Sequence, residues 1–440
     1  MKFMGRFVSI MLTASMLFLL LTACAAGDSG PLSGSYRLRG DSAAKRARLS
    51  DGVLTVGKKG SGKALEEFTI GIDVPDDKDI SLAYRSHMAD DGWCGWTPSG
   101  TKVISEDCHD IDTIQLMLIG RDAFMYDIEY RIAAVGEDWQ EWGSNGIQLG
   151  IPDAQRPIEA IEIKLTEHEE YEPHTWTVIE FGDDDGRQAM FYTMHNNDDG
   201  TLIVIDGGWP LNEGQVRSVI ELYGGHVDHW FLTHYDEDHA SAFNAIYADP
   251  RGITIDNIYA TPLDLELYLE CAAERYWDTP YVYETFIEQT EGDETVRYLN
   301  RGDSFGIDGL QVEVFNAYDQ IVVDTGSRDV ANGASLVFRI EGNEDSILFC
   351  GDMISRLGQP LLDLYGDRLV SEYVQAAHHG NNKLPTDFYA ELGAEVMFFD
   401  GPPWLTESDD YTAKALIEWC HDNGITTYEY ATAPNIIGFD

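Results

Sequence analysis

The sequence predicts an α/β fold preceded by a small all-β domain. From residue 172 to residue 440, short apolar strands alternate with helical stretches, which is the pattern of a layered α/β domain. Residues 111–118 and 158–165 instead alternate apolar and polar side chains with the period of half-buried strands. A chain of 440 residues is long enough for two or three such domains.

The chain begins with a segment of the kind that directs export. Lys2 and Arg6 precede an apolar run over residues 7–21, and Leu-Thr-Ala then leads directly to Cys24. A charged start followed by about 15 apolar residues is typical of a secretory signal. A transmembrane helix needs about 20 residues, which makes the alternative of an uncleaved anchor helix less favourable. We therefore expect residues 1–24 to be a signal peptide.

The cysteine after this run resembles the lipobox of bacterial lipoproteins, where that residue is acylated after cleavage. The resemblance implies a lipid on Cys24 that holds the protein at the outer face of the cytoplasmic membrane, in a Gram-positive bacterium. Residues 25–65 are rich in Gly, Ser, Asp and Lys and show no sustained periodicity. This composition predicts a flexible spacer between the anchor and the folded part.

The whole chain is strongly acidic. It contains 29 Lys plus Arg against 77 Asp plus Glu, a formal net charge of −48. Such a charge repels nucleic acids and anionic membranes unless cations intervene. The composition therefore disfavours duplex nucleic acid as a partner and agrees with a solvated surface on an exported protein.

Residues 66–168 contain the same pattern twice. Tyr84-Arg85 leads to two tryptophans, and the same residue types recur 46 positions later from Tyr130-Arg131 onward; the four tryptophans are Trp93, Trp96, Trp139 and Trp142. Each copy ends in one of the alternating runs, so we expect two similar β units. The pattern resembles the clostridial hydrophobic repeat with a conserved tryptophan (ChW repeat). The resemblance implies a cell-surface protein whose repeats bind a surface glycan or protein; the alternative is that the tryptophans only form a core.

Two cysteines distinguish the first copy from the second. Cys94 and Cys108 lie where the second copy has Gln140 and approximately Ala154, so the second copy lacks both cysteines. This pattern, in an oxidising compartment, favours a disulfide between Cys94 and Cys108. The chain has no Cys-x-x-Cys pair, which argues against a structural zinc site made of cysteines.

Four side chains of metal-binding type lie on one predicted loop. His234-Tyr-Asp-Glu-Asp-His239 follows a short apolar strand and precedes a helix-forming run. On such a turn His234 and Asp236 can face one point while Asp238 and His239 face a neighbouring one. Imidazole and carboxylate ligands suit zinc, manganese or iron. The loop therefore predicts one or two divalent metal ions, zinc or manganese.

The loop resembles the signature of the metallo-β-lactamase superfamily, His-x-His-x-Asp-His, with Asp236 in place of the middle histidine. Later apolar strands end in Gly-Asp352 and in His378-His379-Gly, in the order in which the family places its remaining ligands. The resemblance implies a four-layer αββα fold over residues 172–440.

The resemblance also implies roles for individual residues. Asp352 corresponds to the carboxylate that bridges two metals, and His378 to the last histidine ligand. Asp206, in Ile-Asp-Gly-Gly, corresponds to a residue that supports the metal loop. His379 competes with His378 as the ligand; the residue nearer the strand is our choice, which leaves His379 either as a group that supports the ligands or as a proton donor.

The sequence also departs from the family pattern. None of the 12 histidines lies between residues 239 and 378, so the family's third-motif histidine is missing, and Asn332-Gly-Ala-Ser335-Leu-Val follows in its place. This segment resembles the hydrolase domain of ComEC-type competence proteins, and it implies that Asn332 and Ser335 support the ligands. We expect one tight ion at Asp238, His239, Asp352 and His378, and a looser one at His234, Asp236 and Asp352.

These resemblances imply a metal-dependent hydrolase at the cell surface that cleaves a phosphodiester derived from nucleic acid or a wall polymer. A water activated by the metal attacks, Asp236 or Asp238 orients it, and His379 or bulk water protonates the leaving group. The alternative is a surface-binding protein that uses its ChW repeats and carries a degenerate hydrolase domain. Metal content and hydrolysis distinguish the two.

Overall fold

The protein is described by a computed structural model that covers residues 30–75, 77–105, 109–168, 172–430 and 433–440. The predicted signal peptide, including Cys24, and one half of the predicted disulfide, Cys108, lie outside the described residues. Within the described residues, no helix is both long enough and apolar enough to cross a membrane.

The N-terminal part of the chain, up to Glu167, is built from strands. They are β1 (Leu32–Leu38), β2 (Lys45–Arg46), β3 (Arg48–Ser50), β4 (Val53–Gly57), β5 (Leu65–Ile72), β6 (Ser81–Met88), β7 (Gly92–Trp93), β8 (Thr97–Pro98), β9 (Val103–Ile104), β10 (Ile111–Ile119), β11 (Tyr126–Ala134), β12 (Gly143–Ser144), β13 (Leu149–Gly150) and β14 (Ile158–Glu167).

This part has three similar units instead of two. Each unit contains one long antiparallel hairpin, β1 with β5, β6 with β10 and β11 with β14. The connection within each hairpin supplies a short strand to another unit: β4 pairs with β14, β9 with β5 and β13 with β10. The three sheets therefore close into a ring with approximate threefold symmetry around one apolar core.

Equivalent side chains mark the three units. An arginine lies directly opposite an acid or amide in each hairpin, with Nε to oxygen distances of 3.2 Å for Arg37 and Glu67, 2.6 Å for Arg85 and Gln115, and 2.8 Å for Arg131 and Glu162. The first of these hairpins starts at residue 32. The prediction of a flexible spacer over residues 25–65 is therefore wrong for residues 30–65.

The spacer prediction failed because the first unit has a weak sequence pattern. It lacks the paired tryptophans of the other two units and is rich in Gly and Lys. Its apolar side chains are nevertheless buried in the shared core, among them Leu32, Leu38, Leu54 and Phe68. The ring supplies the burial that this short segment cannot achieve alone.

The α/β domain follows. Its strands are β15 (Trp176–Glu180), β16 (Phe191–Asn196), β17 (Leu202–Asp206), β18 (His226–Phe231), β19 (Thr254–Ala260), β20 (Val296–Tyr298), β21 (Ser304–Ile307), β22 (Leu310–Asn316), β23 (Val337–Glu341), β24 (Ser346–Phe349), β25 (Tyr373–Gln375), β26 (Val396–Phe399), β27 (Thr426–Glu429) and β28 (Asn435–Phe439). Its helices are α1 (Glu213–Leu222), α2 (Glu237–Ala248), α3 (Leu265–Ala272), α4 (Pro280–Gln289), α5 (Gln320–Asp324), α6 (Val330–Gly333), α7 (Gly358–Tyr365), α8 (Thr386–Leu392), α9 (Pro403–Thr406) and α10 (Thr412–Asp422).

The strands of the α/β domain form two seven-stranded sheets, ordered β20-β19-β18-β17-β16-β15-β28 and β21-β22-β23-β24-β25-β26-β27. The apolar side chains between the sheets are fully buried, including Phe231, Phe338 and Phe349. Helices α1 to α4 cover the outer face of the first sheet, and α7, α8 and α10 cover that of the second. The layers are therefore αββα, and the predicted fold class is confirmed.

The second β unit packs against helix α1 of the α/β domain. Trp96 is buried in the same core as Val216 and Val219, and its backbone N–H donates to Ser218 Oγ at 3.0 Å. Arg85 lies over the rings of Trp93 and Trp96 and donates to Asp184 Oδ1 at 2.7 Å. One of the predicted tryptophan motifs therefore forms the contact between the two domains.

Candidate metal centre

The loop between β18 and α2 carries the predicted ligands. His234, Asp238 and His239 are buried, while Asp236 is half-buried at the N-terminal cap of α2. Parallel strands β17 and β18 end beside each other, so residues that follow them meet at one edge of the sheet. The first turn of α2 then points Asp238 and His239 toward the same space.

Asp206, at the end of β17, holds this loop in place. Its carboxylate accepts from the Thr233 N–H at 2.7 Å and from Thr233 Oγ1 at 2.6 Å. The same carboxylate lies 2.7 Å from His239 Nδ1, so the proton on that nitrogen is donated to Asp206. His239 therefore presents its other nitrogen, Nε2, as a ligand atom.

Asp352 follows strand β24 through a tight turn at Gly351, which has a φ of +51°. A Cβ at Gly351 would lie 3.1 Å from Thr233 Cβ and 3.2 Å from Ser335 Cβ, so a larger residue does not fit between them. The Asp352 N–H donates to Ser335 Oγ at 3.2 Å. This places Asp352 Oδ1 3.2 Å from His239 Nε2.

His379 completes the group, and the predicted assignment of the two adjacent histidines is reversed. His379 is 2% exposed, and its Nε2 lies 3.3 Å from Asp238 Oδ2 and 3.5 Å from Asp352 Oδ2. The side chain of His378 is 35% exposed, with Nε2 3.7 Å from Asp352 Oδ2. His379 is therefore the ligand-type residue beside Asp238, which argues against its predicted role as a proton donor to the leaving group.

The backbone explains the reversal. Both histidines have left-handed conformations, with φ of +55° and +54°, so the strand direction does not continue through them. A residue next to a strand end is then not automatically the one that points inward. Such a conformation is uncommon for residues other than glycine, and strained backbone of this kind is often found at functional sites.

The separations agree with the coordination of metal ions. Two ligands of one ion with bonds of about 2.1 Å lie about 3.0 to 3.5 Å apart. Candidate ligand atoms with mutual distances below 4.8 Å form two groups that share His239: His234 with His239 and Asp352, and Asp238 with His239 and His379. We call His234, Asp236 and Asp352 the first metal position, and Asp238, His239, Asp352 and His379 the second.

The polar atoms of these residues are buried without protein partners. Within the described residues, His234 Nε2, His239 Nε2 and His379 Nε2 have no hydrogen-bond partner, nor have Asp236 Oδ1 and Asp352 Oδ1. An unpaired buried polar atom costs about 1 to 3 kcal/mol of stability, so five of them in one place indicate that a bound group pairs with them. Divalent cations fit this donor set of imidazole nitrogens and carboxylate oxygens.

The electrostatics of the second position favour a cation. Burial opposes ionisation of Asp238, but the nearby imidazoles of His379 and His239 lower its pKa to about 2. Burial disfavours a charged His239, yet the charges of Asp352 and Asp206 raise its pKa well above the usual value. The acids therefore stabilise positive charge here, whether it is carried by protons or by a metal ion.

Several neighbours of the site were not singled out from the sequence. Gln188 Nε2 donates to Asp238 Oδ2 at 3.3 Å, and Tyr281 donates to Glu237 beside it. Arg275 Nη2 lies 2.7 Å from Asp329 Oδ2, close to the first position. Contacts of this kind join distant segments of the chain, and no local pattern in the sequence indicates them.

The remaining predicted residues lie as follows. Ser335 contacts Asp352 as described above, and Asn332 is 4% exposed with an unpartnered Oδ1. The aromatic stretch over residues 263–286 forms helices α3 and α4, of which α4 packs on α2 and α3 packs on α4 and α6. Tyr268, Val282 and Phe286 are buried in the core that these helices share.

Comparisons with known proteins address the same region. The profile of the metallo-beta-lactamase superfamily matches residues 183–401, which include all six residues of the two metal positions. The chain therefore contains a metallo-beta-lactamase superfamily domain, a hydrolase fold that implies a divalent metal such as zinc. No curated protein matches the chain.

Solved structures similar to this chain include several metallohydrolase-fold proteins. Igni18, a metallo hydrolase from Ignicoccus hospitalis, has 13% identity and a TM-score of 0.38 over 60% of this chain and 100% of its own. YhfI from Bacillus subtilis has 12% identity and a TM-score of 0.37 over 60% and 98%. Zinc-bound PqqB from Methylobacterium extorquens has 12% identity and a TM-score of 0.35 over 59% and 99%.

Proposed function

We propose that this protein is a divalent-metal-dependent phosphodiesterase that acts outside the cell. The observation that carries the proposal is the convergence of His234 Nε2, His239 Nε2, His379 Nε2 and Asp352 Oδ1 beside Asp238, because these four buried atoms have no hydrogen-bond partner within the described residues.

The division of roles follows from the positions of the side chains. Divalent ions held by these residues would polarise a phosphoryl oxygen and would lower the pKa of water so that hydroxide is available as the nucleophile. Asp238 is ionised at all physiological pH values because its pKa is about 2, so it can accept a hydrogen bond from an attacking water. Gln188 fixes the orientation of that carboxylate. Bulk water remains as the proton source for the leaving group.

The composition of the first position favours a phosphodiester over a β-lactam. Asp236 replaces an imidazole by a carboxylate, which increases the share of oxygen ligands. Two adjacent ions with oxygen-rich ligands suit displacement at phosphorus, where both the attacking and the leaving oxygen need stabilisation. Carboxylate ligands suit manganese, whereas imidazoles suit zinc. The net charge of −48 favours a small or wall-bound substrate over duplex DNA.

The setting of the enzyme is part of the proposal. We infer membership of the ComEC-like subgroup from Asn332 and Ser335, and a lipid anchor on Cys24 from the sequence around it. The β units correspond in this proposal to ChW-type repeats at the surface of a Gram-positive bacterium. Acylation of Cys24 is tested by metabolic labelling with a fatty acid and its loss in Cys24→Ala.

A second candidate function is binding of a surface glycan or protein through the third β unit. Arg131 lies over the rings of Trp139 and Trp142 at 5.0 and 4.7 Å, in the arrangement that the second unit uses against the α/β domain. Both tryptophans are half-buried and therefore retain exposed surface. Trp142→Ala should reduce retention on purified cell walls if the unit binds them, without change in hydrolysis of a soluble substrate.

The hydrolase proposal is tested by Asp352→Ala. We expect loss of bound metal and of hydrolysis of bis-p-nitrophenyl phosphate, since Asp352 contacts both groups of ligands. Metal content by plasma mass spectrometry and turnover with added zinc or manganese are the measurements. Asp363→Ala, at an exposed position on α7, is the matched control and should retain both. A variant at Asp352 that kept metal and turnover would contradict the proposal.

A further inference from the structure

The first metal position, as defined above, has only three ligands from the protein. His234, Asp236 and Asp352 supply one imidazole and two carboxylates, because the chain has no histidine between residues 239 and 378. His234 Nε2 lies 3.6 Å from Asp236 Oδ2 and is otherwise unpartnered. A tetrahedral ion has four ligands, so a fourth position, filled by a side chain or by water, remains here.

We propose that His378 supplies this ligand, so that the two adjacent histidines bind different ions, His378 the first and His379 the second. The inference rests on the metal centre of the proposed hydrolase but not on its substrate. The ligand class is a divalent transition metal held by His234, Asp236, Asp352 and His378.

Both histidines lie close to the carboxylate of Asp352. His378 Nε2 lies 3.7 Å from Asp352 Oδ2, and His379 Nε2 lies 3.5 Å from the same oxygen. Both imidazoles therefore approach the one carboxylate that contacts both groups of ligands. Their rings are inclined at 78° with centroids 6.1 Å apart, so they reach Asp352 from different directions.

The rings of His378 and His379 have different neighbours. His379 Nε2 is 3.3 Å from Asp238, a ligand of the second position. His378 and Asp236 both lie close enough to Asp329 to interact with it electrostatically. His378 and Asp236 are therefore neighbours of the same residue, and Asp236 belongs to the first position.

The backbone gives a physical reason for the arrangement. Successive residues of a strand point to opposite faces, which would remove one histidine from the site. The consecutive left-handed conformations of His378 and His379 interrupt that alternation, and the His378 N–H donates to Gly351 O at 2.9 Å. Such conformations are strained for residues other than glycine, so a function for both side chains accounts for their presence.

The exposure of His378 agrees with the same assignment. Its side chain is 35% exposed, whereas that of His379 is 3% exposed. An ion bound partly by His378 is therefore open to solvent and to substrate, and is held less tightly than the ion of the second position. The protein should bind two ions with different affinities.

The experiment is titration of the metal-free protein with Mn²⁺ or Co²⁺, followed by calorimetry and by the visible absorption of bound Co²⁺. For the unsubstituted protein we expect two ions. His378→Ala should retain the tighter ion and bind the weaker one at least about 100-fold less well, because loss of a ligand costs more than the 10- to 100-fold typical of a residue behind a ligand. His379→Ala should lose the tighter ion.

Two further variants complete the test. His378→Asn tolerates the left-handed backbone and keeps an oxygen ligand, so it should recover part of the weaker binding. His421→Ala, which removes an exposed histidine of α10, should bind both ions normally. Two ions with unchanged affinities in His378→Ala, or loss of the tighter ion in that variant, would overturn the proposal. Because no substrate is present, these outcomes are separate from failure to hydrolyse a phosphodiester.

Discussion

Asp206 shows how one buried residue organises the centre without being a metal ligand itself. It is fully buried, has a φ of +54°, and accepts hydrogen bonds from Thr233 and His239. The carboxylate therefore fixes both the start of the metal loop and the orientation of the His239 ring. A residue with this position acts on metal affinity through His239.

Replacement of Asp206 tests this role. Asp206→Asn tolerates the left-handed backbone but can no longer accept all three hydrogen bonds, because its Nδ2 is a donor. We expect metal affinity to fall about 10- to 100-fold while the fold is retained. Calorimetric metal titration and circular dichroism are the measurements. Asp303→Asn, far from this loop in the β20–β21 connection, serves as control, and equal affinities in both variants would contradict the role.

At the scale of secondary-structure elements, the β units differ in whether another part of the protein packs against their tryptophans. The second unit has Gly95 between its tryptophans, and a Cβ there would lie 2.6 Å from Ser218 Cβ on α1. The third unit has Glu141 at the equivalent place, which is exposed. The second unit also has Gln115 in place of Glu162, which leaves Arg85 to pair with Asp184 across the domain boundary. These differences explain why only one unit of the pair contacts α1.

Gly95→Ala should therefore weaken the contact between the domains. The added methyl group forces Ser218 or the β7–β8 segment to move, and overpacking of this kind costs about 1 to 3 kcal/mol of unfolding free energy. Glu141→Ala adds no such contact and should change stability by about 0.5 kcal/mol or less. Urea unfolding of both variants provides the comparison. Equal stability of the two would show that the close approach at Gly95 has no energetic consequence.

At the scale of the whole molecule, a buried acidic pair joins the start and the end of the α/β domain. Glu180, at the end of β15, accepts from Asn435 Nδ2 on β28 at 2.5 Å, and Asp400, after β26, accepts from Gln375 Nε2 at 2.7 Å. Burial and the charge of Asp400 raise the pKa of Glu180 well above its usual value. Burial also raises the pKa of Asp400. The pair is therefore stable when it retains a proton.

This pair predicts how stability depends on pH. Because the folded pKa of Glu180 is raised, its contribution is fully present below the unfolded pKa of 4.5 and is lost as pH rises through the folded pKa. Glu180→Gln mimics the protonated acid and should remove this loss, about 1.4 kcal/mol for each pH unit between the two pKa values. Urea unfolding from pH 5 to 9 measures it, with the exposed Glu284→Gln as control. Parallel pH profiles for Glu180→Gln and the unsubstituted protein would contradict the prediction.

The sequence by itself determined the features that depend on local order. Strand periodicity predicts an α/β domain, and the placement of His234, Asp238, His239 and Asp352 at strand ends predicts that they lie close together, because parallel strands end at a common edge. The four-layer αββα arrangement was implied by the resemblance to the metallo-β-lactamase superfamily. The duplicated tryptophan motif likewise indicates repeated β units. These features need only the residues of one segment at a time.

The tertiary structure decided what depends on contacts between segments. The first β unit has too weak a pattern to be distinguished from a spacer, and it is ordered only because the ring of three sheets buries its side chains. The choice between His378 and His379 depends on two left-handed residues that no propensity predicts for histidine. The physical reason is the same in both cases. The stability gained by burial and the stability lost to backbone strain are summed over the whole fold, and a local sequence pattern reports only the contribution of its own segment.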